Sequence, residues 1–185
     1  MPDSFSVYFD YLKAFHTATE YLIKLGHKKI ALINGPEDFC ISKKALKGYQ
    51  EALKKHGLDF QEEMVIYGDY SESAGYELMK ELLENFTPPT AILAGDDMIA
   101  TGVMKAVREK KLRVPEDISI TGCNNMPIAS YLTPSLTTIK VPFYEIGRLG
   151  AETLIKILSG TELEKTSIVL EPDNLIIRNS TGVKL

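Results

Sequence analysis

Lys28-Lys29-Ile30-Ala31-Leu32-Ile33-Asn34-Gly35-Pro36 is the stretch on which the fold turns. Four consecutive apolar residues between a basic pair and a Gly-Pro turn are too short for a helix and show no alternation, so they read as a strand buried on both faces. Upstream, Tyr11 to Leu25 sets Phe15, Ala18, Leu22 and Leu25 on one helical face, and Gly26 supplies the stop. Downstream, Ser42 to His56 carries Ala45, Leu46, Tyr49 and Leu53 on one stripe, and Glu63 to Tyr67 reads as the next strand. The pattern repeats through helix Ser71 to Phe86 (Ala74, Leu78, Leu82), strand Thr90 to Ala94, helix Asp97 to Lys111 (Ile99, Val103, Ala106, Val107) and strand Asp117 to Thr121. Strands that alternate with helices in this way form parallel βαβ units, and such a sheet is covered by helices on both faces. The fold class is α/β with a doubly wound parallel sheet.

The end of the chain reads differently. Gly122 to Pro134 lapses into a polar loop, and Leu136 to Val141 resumes as a strand. Helix Phe143 to Leu158 has a broad apolar face (Ile146, Leu149, Ala151, Leu154, Ile157, Leu158), and Ile168 to Leu170 and Asn174 to Arg178 are expected to be closing strands.

Composition narrows the function classes. The chain has 185 residues and is 44% hydrophobic, enough for one well-cored domain with a second partial lobe. Lys and Arg total 21 against 25 Asp and Glu, a net charge of -4 that argues against a surface binding nucleic acid through phosphate neutralisation. Cys40 and Cys123 stand alone, without the CxxC spacing of a zinc site or a disulfide framework, which fits a reducing, cytoplasmic setting. The start, Met1 to Tyr11, lacks the basic stretch and apolar core of a signal peptide, and no run reaches membrane-spanning length. His16, His27 and His56 are scattered and read as surface positions on helix faces or ends. An enzyme reading would need further carboxylates beside Asp96 and Asp97, with Asp69 the obvious candidate; there is no phosphate-cradling glycine loop and no nucleophile elbow. No metal site and no cofactor is expected.

Several strings in order resemble the lac-repressor (LacI/GalR) family of transcription regulators. They are Ala18 to Gly35 with its Leu25-Gly26-His27, Ser42 to Tyr49, Pro89 to Ala94 followed by Asp96-Asp97-Met98-Ile99-Ala100-Thr101-Gly102, and Val114-Pro115-Glu116-Asp117-Ile118-Ser119-Ile120-Thr121-Gly122. Pro134 to Pro142, Ile146-Gly147 and Leu175 to Ser180 complete the set, so the resemblance runs from about Val7 to Thr181. It implies a type I periplasmic-binding-protein-like core, in which two α/β lobes joined by three crossovers hold a small effector between them.

On that resemblance, residues 10–140 form the C-terminal lobe and residues 1–9 are a remnant of the N-terminal lobe. Residues 141–172 are a crossover, helix and strand belonging to that mostly missing lobe, and 173–185 hold the closing strand and tail. The function implied is the effector-sensing and dimerisation part of a cytoplasmic, LacI-type regulator, not an enzyme. It would bind a sugar or related polyol, form a homodimer, and reach operator DNA only through a helix-turn-helix headpiece absent from this chain. A periplasmic sugar-binding protein of a transport or chemotaxis system has the same lobes and is the alternative.

In open α/β sheets ligands sit beyond the carboxyl ends of the strands, and Gly68-Asp69-Tyr70, Gly95-Asp96-Asp97 and Asn124-Asn125 collect there. The resemblance aligns Tyr70 with an aromatic that packs on the effector, Asp96 with a cleft Asn, Asn124 with a cleft Asp, and Phe143 with the aromatic of the cleft floor. Each has a plainer reading. Tyr70 is otherwise a loop tyrosine capping the next helix, Phe143 a core residue of the last helix, and Asp97 an N-cap. The sequence departs from the family at Ala45, where an effector-clamping Arg is usual, leaving Lys43 and Lys44 as the nearest cations, and also at Tyr11 and Ala14.

Overall fold

The computed structural model describes residues 5–160, 167–173 and 175–184. In chain order the elements are β1 (Ser6–Phe9), α1 (Tyr11–Lys24), β2 (Ile30–Asn34), α2 (Cys40–Lys55), β3 (Val65–Tyr67), α3 (Glu72–Asn85), β4 (Ala91–Ala94), α4 (Asp97–Glu109), β5 (Ser119–Cys123), α5 (Ile128–Tyr131), β6 (Thr137–Ile139), α6 (Phe143–Leu158) and β7 (Ser167–Leu170). Five strands form one sheet in the order β3-β2-β4-β5-β6, all neighbours parallel. The chain steps outward from β2 to β3, then crosses back over β2 to β4. The sheet therefore has its switch point between β2 and β4.

Strand residues alternate between two cores. Ile30, Leu32, Ala91, Leu93 and Cys123 pack with α1 and α2, whereas Ala31, Ile33, Ile92, Ala94 and Ile120 pack with α3 and α4. Both sets are solvent-free, so β2 and β4 read as unbroken apolar runs instead of alternating ones. Helix α1 starts where the Asp10 carboxylate accepts the Lys13 N–H, and α3 starts where the Ser71 hydroxyl accepts from Ala74. In α3 Leu82 is inward as expected, while Ala74 and Leu78 are only half-buried and the residues after them, Gly75 and Met79, take the inward places.

A second, smaller unit sits apart from this sheet. β1 and β7 pair in parallel as a two-stranded sheet, and α6 packs on β1. Chain passes between the two units at Phe9–Tyr11, at Lys140–Pro142 and after Leu170, where the Asp10 N–H bonds the Leu170 carbonyl at 3.0 Å.

Four expectations change. Glu62–Met64 is a single turn of 3-10 helix, so the third strand begins only at Val65. The polar loop after Gly122 contains the short helix α5. The closing strand expected over 174–178 is a lone antiparallel bridge between Ile176 and Thr138; Asn174 lies outside the described residues. Side chains hold this segment in place of a ladder: the Arg178 N–H donates to Thr137 Oγ1 at 2.9 Å, and Ser180 Oγ donates to the Ile120 carbonyl at 2.6 Å. Finally, His27 is buried. Its ring nitrogens meet Thr90 Oγ1 and Ser119 Oγ at 3.0 Å and the Gly182 carbonyl at 3.1 Å, and burial holds its pKa below the ordinary histidine value. A helix-end histidine followed directly by a central strand is carried inward with that strand. No described helix is long and apolar enough to cross a membrane.

Candidate functional site

A cleft of about 210 Å³ opens at the carboxyl end of the sheet, lined by Tyr11, Ile41, Tyr70, Gly95, Asp96, Asn124 and Phe143. It lies at the ends of β2, β4 and β5, so the switch point of the strand order and the polar side chains coincide. Tyr70, Asp96, Asn124 and Phe143, separated by up to 73 positions in sequence, meet around this one space. Larger hollows elsewhere on the surface contain none of the four.

Each side chain is positioned by a different device. Tyr70 follows β3 and does not cap α3, a role taken by Ser71. Its hydroxyl lies 3.1 Å from Ser42 Oγ, and Asn34 holds the Ser42 carbonyl through an Nδ2–H bond of 2.9 Å. The ring lies directly over Gly35: a Cβ there would come within 2.1 Å of its Cζ, so the glycine is what lets the aromatic face close on the end of β2. Phe39 leans on the same ring with centroids 6.3 Å apart. Burial raises the Tyr70 pKa, against the opposing bond from Ser42.

Asp96 lines the cleft as expected and also takes the capping part expected of Asp97. Asp96, not Asp97, is the N-cap of α4, its Oδ1 accepting the Ile99 N–H at 2.8 Å. Of the four acceptor positions of a carboxylate, the N–H groups of Ile99 and Met98 engage two, which leaves capacity toward the cleft. Asp97, in the first turn, is fully buried behind the cleft. Thr138 Oγ1 donates to one of its oxygens and the Met126 N–H to the other, both at 2.6 Å. Desolvation pushes its pKa up to about 6, offset in part by those two bonds. The Asp96 pKa is raised by the same cause.

Asp97 thereby fixes the turn that presents Asn124. Asn124 and Asn125 have φ of 102° and 51°, a left-handed region that asparagine tolerates better than most residues. Arg178 anchors the turn from the far side, its guanidinium donating to the Leu136 carbonyl at 2.6 Å and to Asn125 Oδ1 at 2.7 Å. Among the described residues the Asn124 amide oxygen has only a long 3.7 Å contact from Cys123 Sγ, and the residue lines the cleft. Phe143 is not a core residue: it opens α6 and is 56% exposed at the rim.

Ala45 is fully buried against α1, so no guanidinium enters from α2. Neither neighbouring lysine replaces it. Lys43 faces Asp38 at 3.8 Å, and Lys44 lies 4.7 Å over the Tyr8 ring. Asp69, weighed above as a partner for the other aspartates, is exposed and accepts the Ser71 N–H in its own turn at 2.9 Å. Among the described residues no three His, Cys, Asp or Glu side chains are placed to hold a metal ion.

Sequence reasoning missed Ile41 as a lining residue and named Tyr11 only as a departure. Ile41 continues the apolar stripe of α2 one turn past the core, and periodicity reads it as more core. Tyr11 sits where the chain enters α1, packed edge-on against Phe9 at 5.1 Å, and burial lifts its pKa to about 12.

Comparison with known proteins matches residues 19–181 to the periplasmic binding protein-like domain. The chain is 38% identical over 163 residues to the probable HTH-type transcriptional repressor ExuR of Bacillus subtilis (strain 168), covering 88% of this chain and 49% of that protein. It is 37% identical over 155 residues to the ribose operon repressor of Escherichia coli (strain K12), covering 84% and 47%. The chain thus spans about half the length of the curated relatives it matches. Among solved structures, a putative LacI transcriptional regulator from Bacillus cereus subsp. cytotoxis superposes with a TM-score of 0.93 at 32% identity, over 98% of this chain and 64% of that one. The lac repressor dimer bound to operator and an anti-inducer gives 0.89 at 30% identity, over 96% and 60%.

Proposed function

The chain belongs to the periplasmic-binding-protein-like domain family, and we propose that it is the effector-sensing part of a LacI-type transcription regulator. The observation that carries this reading is the meeting of Tyr70, Asp96, Asn124 and Phe143 at the strand switch point, within a chain whose relatives are repressors. Effector binding and repression go together in that arrangement. The cleft lies between the main sheet and the end of α6, so a ligand touching Asp96 on one side and Phe143 on the other biases how the two units sit. A ligand shifts such an equilibrium only by its difference in affinity for the two arrangements. The DNA partner is an operator read through a helix-turn-helix headpiece, in a homodimer, in the cytoplasm. On this reading 10–140 is one lobe, and 1–9 with 141–172 contribute to the other.

Regulation is favoured over transport by the relatives, which are repressors and resemble this chain over more than four-fifths of its length. Regulation is also favoured over catalysis by the roles of the buried carboxylates, since Asp96 caps a helix and Asp97 holds a turn.

The test uses full-length protein, a thermal-shift screen of sugars, polyols, nucleosides and sugar acids, and DNA-release assays on its own upstream region. One compound should raise Tm and change DNA affinity. Phe143→Ala removes an exposed ring, and Asn124→Gly removes the amide while keeping a residue at ease with positive φ. Both variants should lose the effect by about tenfold or more with the free protein's Tm unchanged. A ligand whose effect survives both substitutions places the effector site elsewhere. Asp96→Ala is a poorer probe, since loss of the α4 cap costs about 1 kcal/mol of stability by itself.

A further inference from the structure

Behind the cleft, one buried carboxylate ties separate pieces of chain together. Asp97 Oδ2 accepts the Met126 N–H, and Oδ1 accepts the hydroxyl of Thr138 in β6, both at 2.6 Å. Thr138 Oγ1 in turn accepts the Asn125 N–H at 3.3 Å. Gly122 in β5 leaves the space this carboxylate fills, since a Cβ there would stand 2.3 Å from Asp97 Oδ1. Asn124 is therefore carried on a left-handed turn whose next two N–H groups are held by Asp97, one directly and one through Thr138.

Each link depends on charge. A bond to an ionised acceptor is roughly twice as strong as one to a neutral acceptor. A proton on Asp97 removes that assistance and adds a donor where Thr138 already donates. Thr138 must then turn its hydroxyl to its other acceptor, the Ile139 carbonyl at 3.4 Å, and give a lone pair to Asp97, which weakens its hold on Asn125. The positive φ angles of Asn124 and Asn125 are costly and persist only while their surroundings impose them. Burial raises the Asp97 pKa to about 6, within reach of ordinary changes in pH. Three charged or titratable groups face it. Asp96 on the same helix pushes the value up, and Arg178 beyond the closing bridge pulls it down. The Cys123 thiol in β5 is kept neutral by its own burial.

We propose that Asp97 is a proton switch for the cleft: ionised, it holds the turn that presents Asn124, and protonated, it loosens that turn. Asp97 is a positioning residue, acting through Thr138 and the backbone of the turn and not by touching the effector. The regulatory consequence rests on the effector-site reading above: a given effector concentration acts more strongly above about pH 6 than below it. The switch itself does not depend on that reading.

The experiment follows full-length protein carrying isotope-labelled asparagine by NMR, with no effector present, from about pH 4.5 to about pH 8. Signals lost in Asn124→Gly and Asn125→Gly identify the two residues. Both should move with one midpoint of about 6. Asp97→Asn, which has no group to titrate, should abolish the midpoint and leave both signals at their low-pH positions throughout. Thr138→Val removes a bond that favours the ionised form and should raise the midpoint, and Thr138→Ser should restore it. Asp96→Asn keeps a capping side chain and should lower the midpoint without abolishing it. A merely structural Asp97 would give no midpoint to move. Signals that stay still over this range, or that titrate equally in Asp97→Asn, overturn the switch. If Asp97→Asn does not fold, a midpoint indifferent to both Thr138→Val and Asp96→Asn does the same. Since no effector is used, these results leave the effector-site reading untouched; a switch that holds beside a screening compound indifferent to Asn124→Gly sinks that reading alone.

Discussion

Helices α4 and α6 look alike in sequence. They have 13 and 16 residues, each with a clear apolar stripe, and each follows directly on a strand end at the same cleft. Their surroundings are opposite. α4 buries eight residues, Asp97 and Val107 among them, whereas α6 buries Thr153 alone and leaves Leu154, Ile155 and Leu158 at 56%, 63% and 78% exposure. Even the first residues contrast, with a charged side chain out of solvent at Asp97 and a phenyl ring in it at Phe143. An amphipathic stripe states how much of a helix wants cover, and says nothing about which element supplies it.

The largest expected effect tests the burial side. Ile99→Ala in α4 should cost about 3 kcal/mol, measured by urea unfolding, because it opens a cavity in a packed core; Leu154→Ala in α6 should stay within about 0.5 kcal/mol at concentrations low enough for the chain to be monomeric. Equal costs would mean that α6 is covered in solution as thoroughly as α4.

Smaller, and specific to the α4 N-terminus, is a pH effect. Asp97 is raised from 3.8 to about 6, so its folded form favours the proton. The stability this contributes is full below about pH 4 and is lost as pH rises through 6, a loss on the order of 3 kcal/mol. Asp97→Asn should flatten the stability profile across that window. Glu20, held down to about 2 by Lys55 and then His56, acts in a separate window: its contribution is present above about pH 4.5 and disappears as pH falls through 2. A slope between pH 4 and 6 that persists in Asp97→Asn assigns the titration to another group.

The smallest effect in stability but the plainest in size of particle concerns α6. Light scattering should show this chain self-associating through the exposed stripe, and the double substitution Leu154→Lys, Ile155→Lys should return it to monomer with Tm unchanged. A wild-type chain that remains monomeric over a wide concentration range contradicts it.

The same contrast explains what could be read in advance. The parallel sheet was legible because β2 and β4 are buried on both sides, so apolar runs mark them without help from neighbours. The placing of Tyr70, Asp96 and Asn124 at strand ends was legible from where polar and aromatic singles interrupt those runs, whereas Phe143 was indicated only by the family resemblance. Their individual roles were not. Capping belongs to Asp96 and not Asp97 because α4 begins at Asp97, one residue earlier than an Asp97 cap would set it, and a run of two aspartates does not specify which. His27 and the segment around Arg178 depend on side-chain bonds between residues 41 to 155 apart, and no local period records them.

The last stretch of the chain works as a buckle. Ser180 spans β5 and β6 through Ile120 and Thr137, Gly182 closes on His27, and the Lys184 N–H reaches the Leu25 carbonyl at 2.7 Å. A ribosome must therefore deliver these residues before β5, β6 and the turn between α1 and β2 can be fastened to one another. A chain that stops before Ser180 would keep most of its core sequence and lose these bonds, a species for quality control to recognise by its unfastened sheet.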